Sequence, residues 1–320
     1  MRYLLRRGLH LGFLLFGVSI LSFLFLALAP GNFLDNMRLD PQVSPETVSA
    51  LRSEYGLDRP VPVQYFHWLR ALSRGDLGYS FAYSQPAAAL LLPRARNTLA
   101  LTATATLISW LLSLPLGIWA ATHGGRLSDR IISIGTTTLL GIPDLLLLLL
   151  LLLFAARTNI LPAGGMVSLD FESLNAPQRF KDLATHLILP LTALVLGTLP
   201  TLIRHVRNAM SSALKEPFLL AGKGHGISKT RLLLRYALPV AANPLISLLG
   251  FSVGTLLSSS LLVEMVLGWP GLGPLLLEAI LSRDLYLVIG AVMFSSLFLV
   301  GGNFLADLLL YWNDPRIRVG

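Results

Sequence analysis

The chain has 320 residues, of which 54% are hydrophobic and 13% charged, with a net charge of +8. A soluble domain carries about twice that share of charge and needs it to cover its surface, so the composition points to a multi-pass membrane protein with lipid as the solvent for its exterior. The absence of cysteine excludes disulfides, thiolate metal sites and cysteine nucleophiles, and the basic residues lie in loops without aromatic interleaving, which argues against nucleic acid as a partner.

The chain opens Met1-Arg2-Tyr3-Leu4-Leu5-Arg6-Arg7 and then stays apolar to Ala29. That run is too long for a signal-peptide core, and Ala29-Pro30-Gly31 is a poor cleavage site, so 9–29 reads as an uncleaved first span. Residues 30–97 form the main extramembrane segment. Pro45-Glu46-Thr47 reads as a helix start, with Leu51, Tyr55 and Leu57 near helical spacing. Val63 to Arg70 is a second amphipathic stretch, and Gly75-Asp76-Leu77-Gly78 reads as a turn. This small domain is expected to rest on the membrane or on a partner.

A span needs about 20 mostly apolar residues. Five further segments qualify, 98–121, 131–156, 186–209, 238–263 and 286–310, which predicts an all-α membrane protein of about six helices. The third contains an unbroken leucine run, Leu145 to Leu153, greasy on every face and expected to carry no chemistry. The resulting plan is a tail and first helix at 1–29, an outer domain at 30–97, a five-helix core at 98–310 and a tail at 311–320. Lys and Arg are denser in 1–8, 123–130, 204–236 and 311–320 than in the other connecting pieces, which predicts cytoplasmic N- and C-termini.

The loop 204–236 holds seven basic residues against one acid, Glu216. Small residues cluster at Ala221, Gly222, Gly224 and Gly226, and leucines follow at Leu232, Leu233 and Leu234. The pattern predicts a short helix, a glycine turn and a second helix entering the membrane, with small side chains letting another protein approach the backbone. Gly226-Ile227-Ser228-Lys229-Thr230 superficially mimics a phosphate loop, but Ser228 stands where that motif requires glycine. No nucleotide or other cofactor is expected on this chain.

These residues resemble the inner-membrane permease subunits of bacterial ABC importers, in the dipeptide, oligopeptide and nickel branch. Gly226 matches the glycine of the family's cytoplasmic signature, and Leu238-Pro239 follows in register. Ala221-Gly222, Gly224 and His225 depart from its usual residues and should weaken the helix by about 1 kcal/mol per glycine. Ala29-Pro30-Gly31, Tyr55-Gly56-Leu57-Asp58-Arg59-Pro60, Gln64-Tyr65, Arg74 to Ser80, Asn97 to Leu101, His186 to Pro190, Arg204 with Arg207, Gly268-Trp269-Pro270-Gly271-Leu272-Gly273, Arg283-Asp284 and Asp314 to Arg318 fit the same branch in order.

The resemblance implies an ABC type I importer-like fold and half of a pore. It implies a second homologous permease, two ATPase subunits and a periplasmic substrate-binding protein as partners in a bacterial inner membrane. Within 210–236 it assigns ATPase coupling to Ala221, Gly222, Gly224, Gly226, Leu232, Leu238 and Pro239. It implies peptides as cargo, with nickel or glutathione as alternatives. A secondary transporter working without ATP is the rival class, but no matched inverted halves are visible.

Asp144, after Pro143 in the third span, is a candidate for a pore-facing or partner-binding role, against a water-accessible residue at a proline kink. Glu264 with Trp269-Pro270-Gly271 is expected to form a re-entrant turn bordering the pore, and Asp307 an interfacial contact to a nearby arginine. Ser258, Ser259 and Ser260 have no histidine partner that would make a nucleophile. None of the six histidines shows zinc-ligand spacing, so no metal site is expected.

Overall fold

The computed structural model describes residues 2–28, 31, 33–38 and 44–314. Ala29-Pro30 and the terminal Pro315-Arg316-Ile317-Arg318 lie outside the described residues. The elements run α1 (Arg2–Leu28), α2 (Phe33–Met37), α3 (Pro45–Glu54), α4 (Val61–Leu72), β1 (Tyr79–Ser80), β2 (Gln85–Pro86), α5 (Ala87–Thr122), α6 (Leu127–Leu140) and α7 (Asp144–Thr158). They continue with α8 (Ala176–Ala213), α9 (Pro217–Gly224), α10 (Lys229–Leu232), α11 (Leu238–Val266), α12 (Leu272–Leu281) and α13 (Leu285–Asn313).

Five of these stretches are long and apolar enough to cross a membrane: Arg6–Leu28, Ala87–Thr122, Ala176–Ala213, Lys229–Val266 and Leu285–Asn313. The expected third span is not one helix. It is α6 and α7 joined at a 96° bend. Pro143 has no N–H for a helical bond and drives Ile142 out of the helical region, and α6 ends with Gly141 as its C-cap. Asp144 therefore begins α7, at the bend, rather than lying inside one continuous helix.

The chain divides into two compact units. One comprises Gly8–Thr98 and Pro270–Leu297. Here Ser44 caps α3 by accepting from the Thr47 N–H, as the Pro-Glu-Thr start suggested. On the amphipathic α4, Tyr65 and Trp68 pack on Phe23 of α1 and Ile289 of α13. The Ser19 hydroxyl meets the Tyr65 hydroxyl at 2.9 Å.

The Gly75–Gly78 turn leads into the short antiparallel pair β1–β2, with Tyr79 opposite Pro86. Asp284, fully buried, holds this hairpin. Its Oδ2 accepts from the Ser80 hydroxyl at 2.7 Å and from the Ala82 N–H at 3.1 Å, and its Oδ1 accepts from the Leu287 N–H at 3.3 Å at the start of α13. Tyr83 donates to Glu278, and that bond pushes the Tyr83 hydroxyl above its ordinary pKa. Asn97 donates to the Pro270 carbonyl at 2.9 Å, and the Thr98 hydroxyl accepts from the Leu272 N–H at 2.8 Å at the head of α12. α5 begins at Ala87, so the last part of the expected 30–97 loop is already helix.

The other unit comprises Met1–Arg7, Leu99–Trp269 and Phe298–Gly320. α8 is its longest helix, opened by a capping box between Asn175 and Gln178 and carrying Pro190 and Pro200 inside. One buried cluster joins Leu101, Leu148, Leu189, Leu194 and Leu256 from α5, α7, α8 and α11. Gly250 and Gly254 bring α11 against Asn303 and Leu299 of α13 so closely that an added Cβ would stand 2.6 Å from each side chain. Arg7 meets Asp307 at 3.2 Å, the arginine contact expected for that acid.

Candidate coupling segment and membrane cavity

The connection between α8 and α11 has the expected helix–turn–helix form. α9 starts at Pro217, which suits a first helical turn because its missing N–H has no intrahelical use there. α9 ends at Gly224, and Gly226 follows with φ +80, a left-handed conformation that glycine adopts without Cβ strain. α10 then begins after Ser228.

Between α10 and α11, residues Leu233–Ala237 form a π turn. Pro239, in the first turn of α11, cannot donate to the carbonyl of Arg235 and its ring crowds that carbonyl. The chain widens instead, and the Leu238 N–H bonds to the Leu233 carbonyl five residues back. Residues Lys229–Val266 thus form one continuous helical body from the turn into the span.

The side chains of this segment divide into two faces. Leu219 and Leu232 are buried in a cluster with Trp110, Val206, Met210 and Leu245, and Leu238 packs against it. Gly222 faces the same way: an added Cβ would stand 2.9 Å from Leu232 Cδ2. Gly222 and Leu232 pack against each other within the chain. Ala221, Gly224, Gly226 and Pro239 are exposed, and a Cβ on Gly224 or Gly226 would meet nothing within 4 Å. Phe218 and Leu220 are 49% and 59% exposed beside them. The outward face of α9 is therefore apolar and small, with Lys223 at its end.

A bidentate ion pair braces the adjacent helices. Arg207 of α8 donates from Nε to Asp129 Oδ1 at 2.7 Å and from Nη2 to Oδ2 at 2.9 Å, and the Gly125 N–H adds a third bond to the same carboxylate at 2.9 Å. Arg207 was legible only as one of two basic residues ahead of Met210.

Within the same unit, residues of α7, α8, α11 and α13 line an open cavity of about 770 Å³. Asp144 lines it, with Thr198, Thr201, Ser258, Ser259 and Asn303 among its polar neighbours. Of the residues proposed to line a pathway, Asp144 alone reaches this cavity. Glu264 and Trp269 are buried, Trp269 in the apolar cluster of this unit. In the other unit, Gly271 is buried too and Pro270 is held through its carbonyl by Asn97. The sequence reading missed the hydroxyl lining, although Ser247, Phe251, Gly254, Thr255 and Ser258 recur at helical spacing along one face of α11 and all line the cavity. Among the described residues no group of three or more His, Cys, Asp or Glu stands together.

Long apolar helices lining a polar cavity, with an exposed helix–turn–helix that runs on into a span, are the architecture of a multi-pass membrane protein, and its relatives make it a permease. The chain belongs to the family of binding-protein-dependent transport system inner membrane components: the family model matches residues 113–319, and the N-terminal model of the same membrane component matches residues 1–102. It is 31% identical to the oligopeptide transport system permease protein AppB of Bacillus subtilis over 99% of each chain. It is 31% identical to the dipeptide transport system permease protein DppB of Escherichia coli over 94% of each. It is 32% identical to the nickel import system permease protein NikB of Staphylococcus aureus, over 99% of this chain and 92% of that one. A solved structure of the MetNI methionine ABC transporter in an inward-facing conformation aligns with 72% of this chain and 95% of its own, at 21% identity and a TM-score of 0.49. The protein is thus an ABC-importer permease subunit of the inner membrane, a transport component rather than an enzyme, that works with an ATPase and a substrate-binding protein.

Proposed function

We propose that this chain forms half of an import pore for peptides, paired with a second homologous permease and served by two ATPase subunits. The termini and the 204–236 loop face the cytoplasm, residues 30–97 face the periplasm, and the outward face of α9 docks in a groove of an ATPase. The chain itself binds no nucleotide. One observation carries this reading: α9 exposes Phe218 and Leu220 beside side-chain-free backbone at Gly224 and Gly226, ahead of a helical body that continues into the membrane. A partner that closes on ATP can shift the permease between states only through contacts that differ between them, and a rigid lever transmits such a difference. The named peptide-permease relatives support the cargo.

Gly226→Trp tests the docking. The substitution imposes a bulky side chain at positive φ on the exposed turn. The assembled transporter should still insert and hydrolyse ATP while ATP-dependent uptake of a labelled tripeptide into vesicles falls at least tenfold. Gly226→Asn, which tolerates the left-handed conformation, should retain most uptake. Normal uptake by Gly226→Trp sinks the docking model. Uptake of nickel and not of peptide by the wild type replaces the cargo.

A further inference from the structure

We propose that Asp144 makes the membrane cavity a cation-selective station that receives the protonated amino group of a peptide in transit. The proposal rests on the peptide-importer reading above and adds to it a named site and the end of the cargo that it recognises.

An acid at membrane depth is costly unless it faces water or a partner. Asp144 is exposed and lines the cavity of about 770 Å³, within the size range of small-molecule sites. Gly197 leaves room for the carboxylate on α8: a Cβ there would stand 3.3 Å from Asp144 Oδ1. Among the described lining residues Asp144 is the one ionisable side chain, and the rest are hydroxyl, amide, glycine or apolar. Leu202, Leu248 and Leu299 supply low-dielectric wall. A single negative charge in such a cleft sets the sign of its field and concentrates cations.

The chemistry of the lining chooses among cations. An ammonium brings three donors and is satisfied by one carboxylate and neighbouring hydroxyl oxygens. A first-row divalent metal such as nickel seeks imidazole or thiolate, and the described lining offers neither. The amino group of a peptide is therefore the fitting occupant. The sequence marked Asp144 as an acid in an apolar run, and the hydroxyls that α8 and α11 bring to the same cavity emerge only in the fold.

The chain contains no cysteine, so Ser258→Cys places a unique thiol of this subunit on the cavity wall. The assembled, nucleotide-free transporter in nanodiscs is treated with a trimethylammonium-ethyl or a sulfonatoethyl thiosulfonate, with rates referred to those of a free thiol. The cationic reagent should hold an advantage of about tenfold. Asp144→Asn should remove that advantage and Asp144→Glu should keep it. A tripeptide with a free amino group should slow cationic modification, its N-acetylated form should not, and Asp144→Asn should abolish the protection. Equal reagent rates with Asp144 present overturn the proposal. So does equal protection by the acetylated peptide, or protection by nickel chloride in place of peptide. Reagent selectivity does not depend on transport, so it stands apart from the importer reading, which fails instead if the wild type shows no ATP-dependent peptide uptake.

Discussion

At Gly78 the backbone turns at φ +91 and the Tyr286 ring occupies the space a side chain would take, with an added Cβ 2.5 Å from Cδ1. Two independent penalties meet at that residue. Gly75, in the same turn, has φ +81 but nothing within 4 Å of an added Cβ. Gly75→Ala should therefore cost only the left-handed strain, about 1 kcal/mol, whereas Gly78→Ala should cost about 2–3 kcal/mol once the ring is displaced. Thermal unfolding of the purified transporter should show the larger drop for Gly78→Ala, and equal drops would mean that the ring yields without cost. The turn was readable from Gly75-Asp76-Leu77-Gly78 alone, and Asp76 indeed bonds the Gly78 N–H through Oδ1 at 2.9 Å. The ring was not readable, because Tyr286 arrives from the far end of the chain. The same holds for Asp284: Arg283-Asp284 stood out as a motif, but its task of holding Ser80 emerges only when the hairpin is in place.

Among the elements, α9 through α11 show how a local pattern fixes shape and where such a pattern stops. Glycines at 224 and 226 mark the turn, and Leu238-Pro239 marks a helix start, so helix–turn–helix was legible. The π turn was not, because a proline near a helix start ordinarily asks nothing of the turn before it. It does so here because α10 runs straight into α11, leaving Pro239 effectively inside a longer helix. Pro239→Ala should restore the missing donor and let Leu233–Ala237 relax toward α-helix. Each residue taken out of the π turn rotates α10 by roughly 100° relative to α11. That rotation pulls Leu232 away from Gly222 and turns the face of α9. ATP-dependent uptake should fall severalfold with ATP hydrolysis retained, and unchanged uptake would show that the turn does not transmit the motion. The inward packing of Gly222 and Leu232 follows the same rule: composition identified the small and apolar residues, while only the fold decides which face each one joins.

At the scale of the whole molecule, hydropathy found the long apolar runs, passed over the short apolar helix α12, and carried no information about direction, which is why the 131–156 segment reads as one span and folds as two helices. Gly141-Ile142-Pro143 held the break, and a sum of hydropathy passes over it. Whether this pair crosses the membrane decides the topology. α6 and α7, at 1.5 Å per residue, are each about 21–22 Å long, too short to cross a core of roughly 30 Å. Joined at 96°, their end-to-end reach is about 29 Å, so the bent pair crosses only if both arms run diagonally and the corner bearing Asp144 lies near mid-membrane. The basic residues favour that crossing. With it, the loop 123–130 and the loop 204–236 share a side, separated by the α6–α7 pair and α8. Without it, the two loops fall on opposite sides and the charge bias is divided between them. Gly124→Cys, Leu169→Cys and Gly224→Cys, each in an exposed position of a chain without native cysteine, separate the cases. An impermeant maleimide applied to cells with a permeable outer membrane and an intact inner membrane should label Leu169→Cys and spare both others. Like labelling of Gly124→Cys and Leu169→Cys, opposite to that of Gly224→Cys, would make the pair a re-entrant loop, leave five crossings, and place the two ends of the described chain on opposite sides of the membrane.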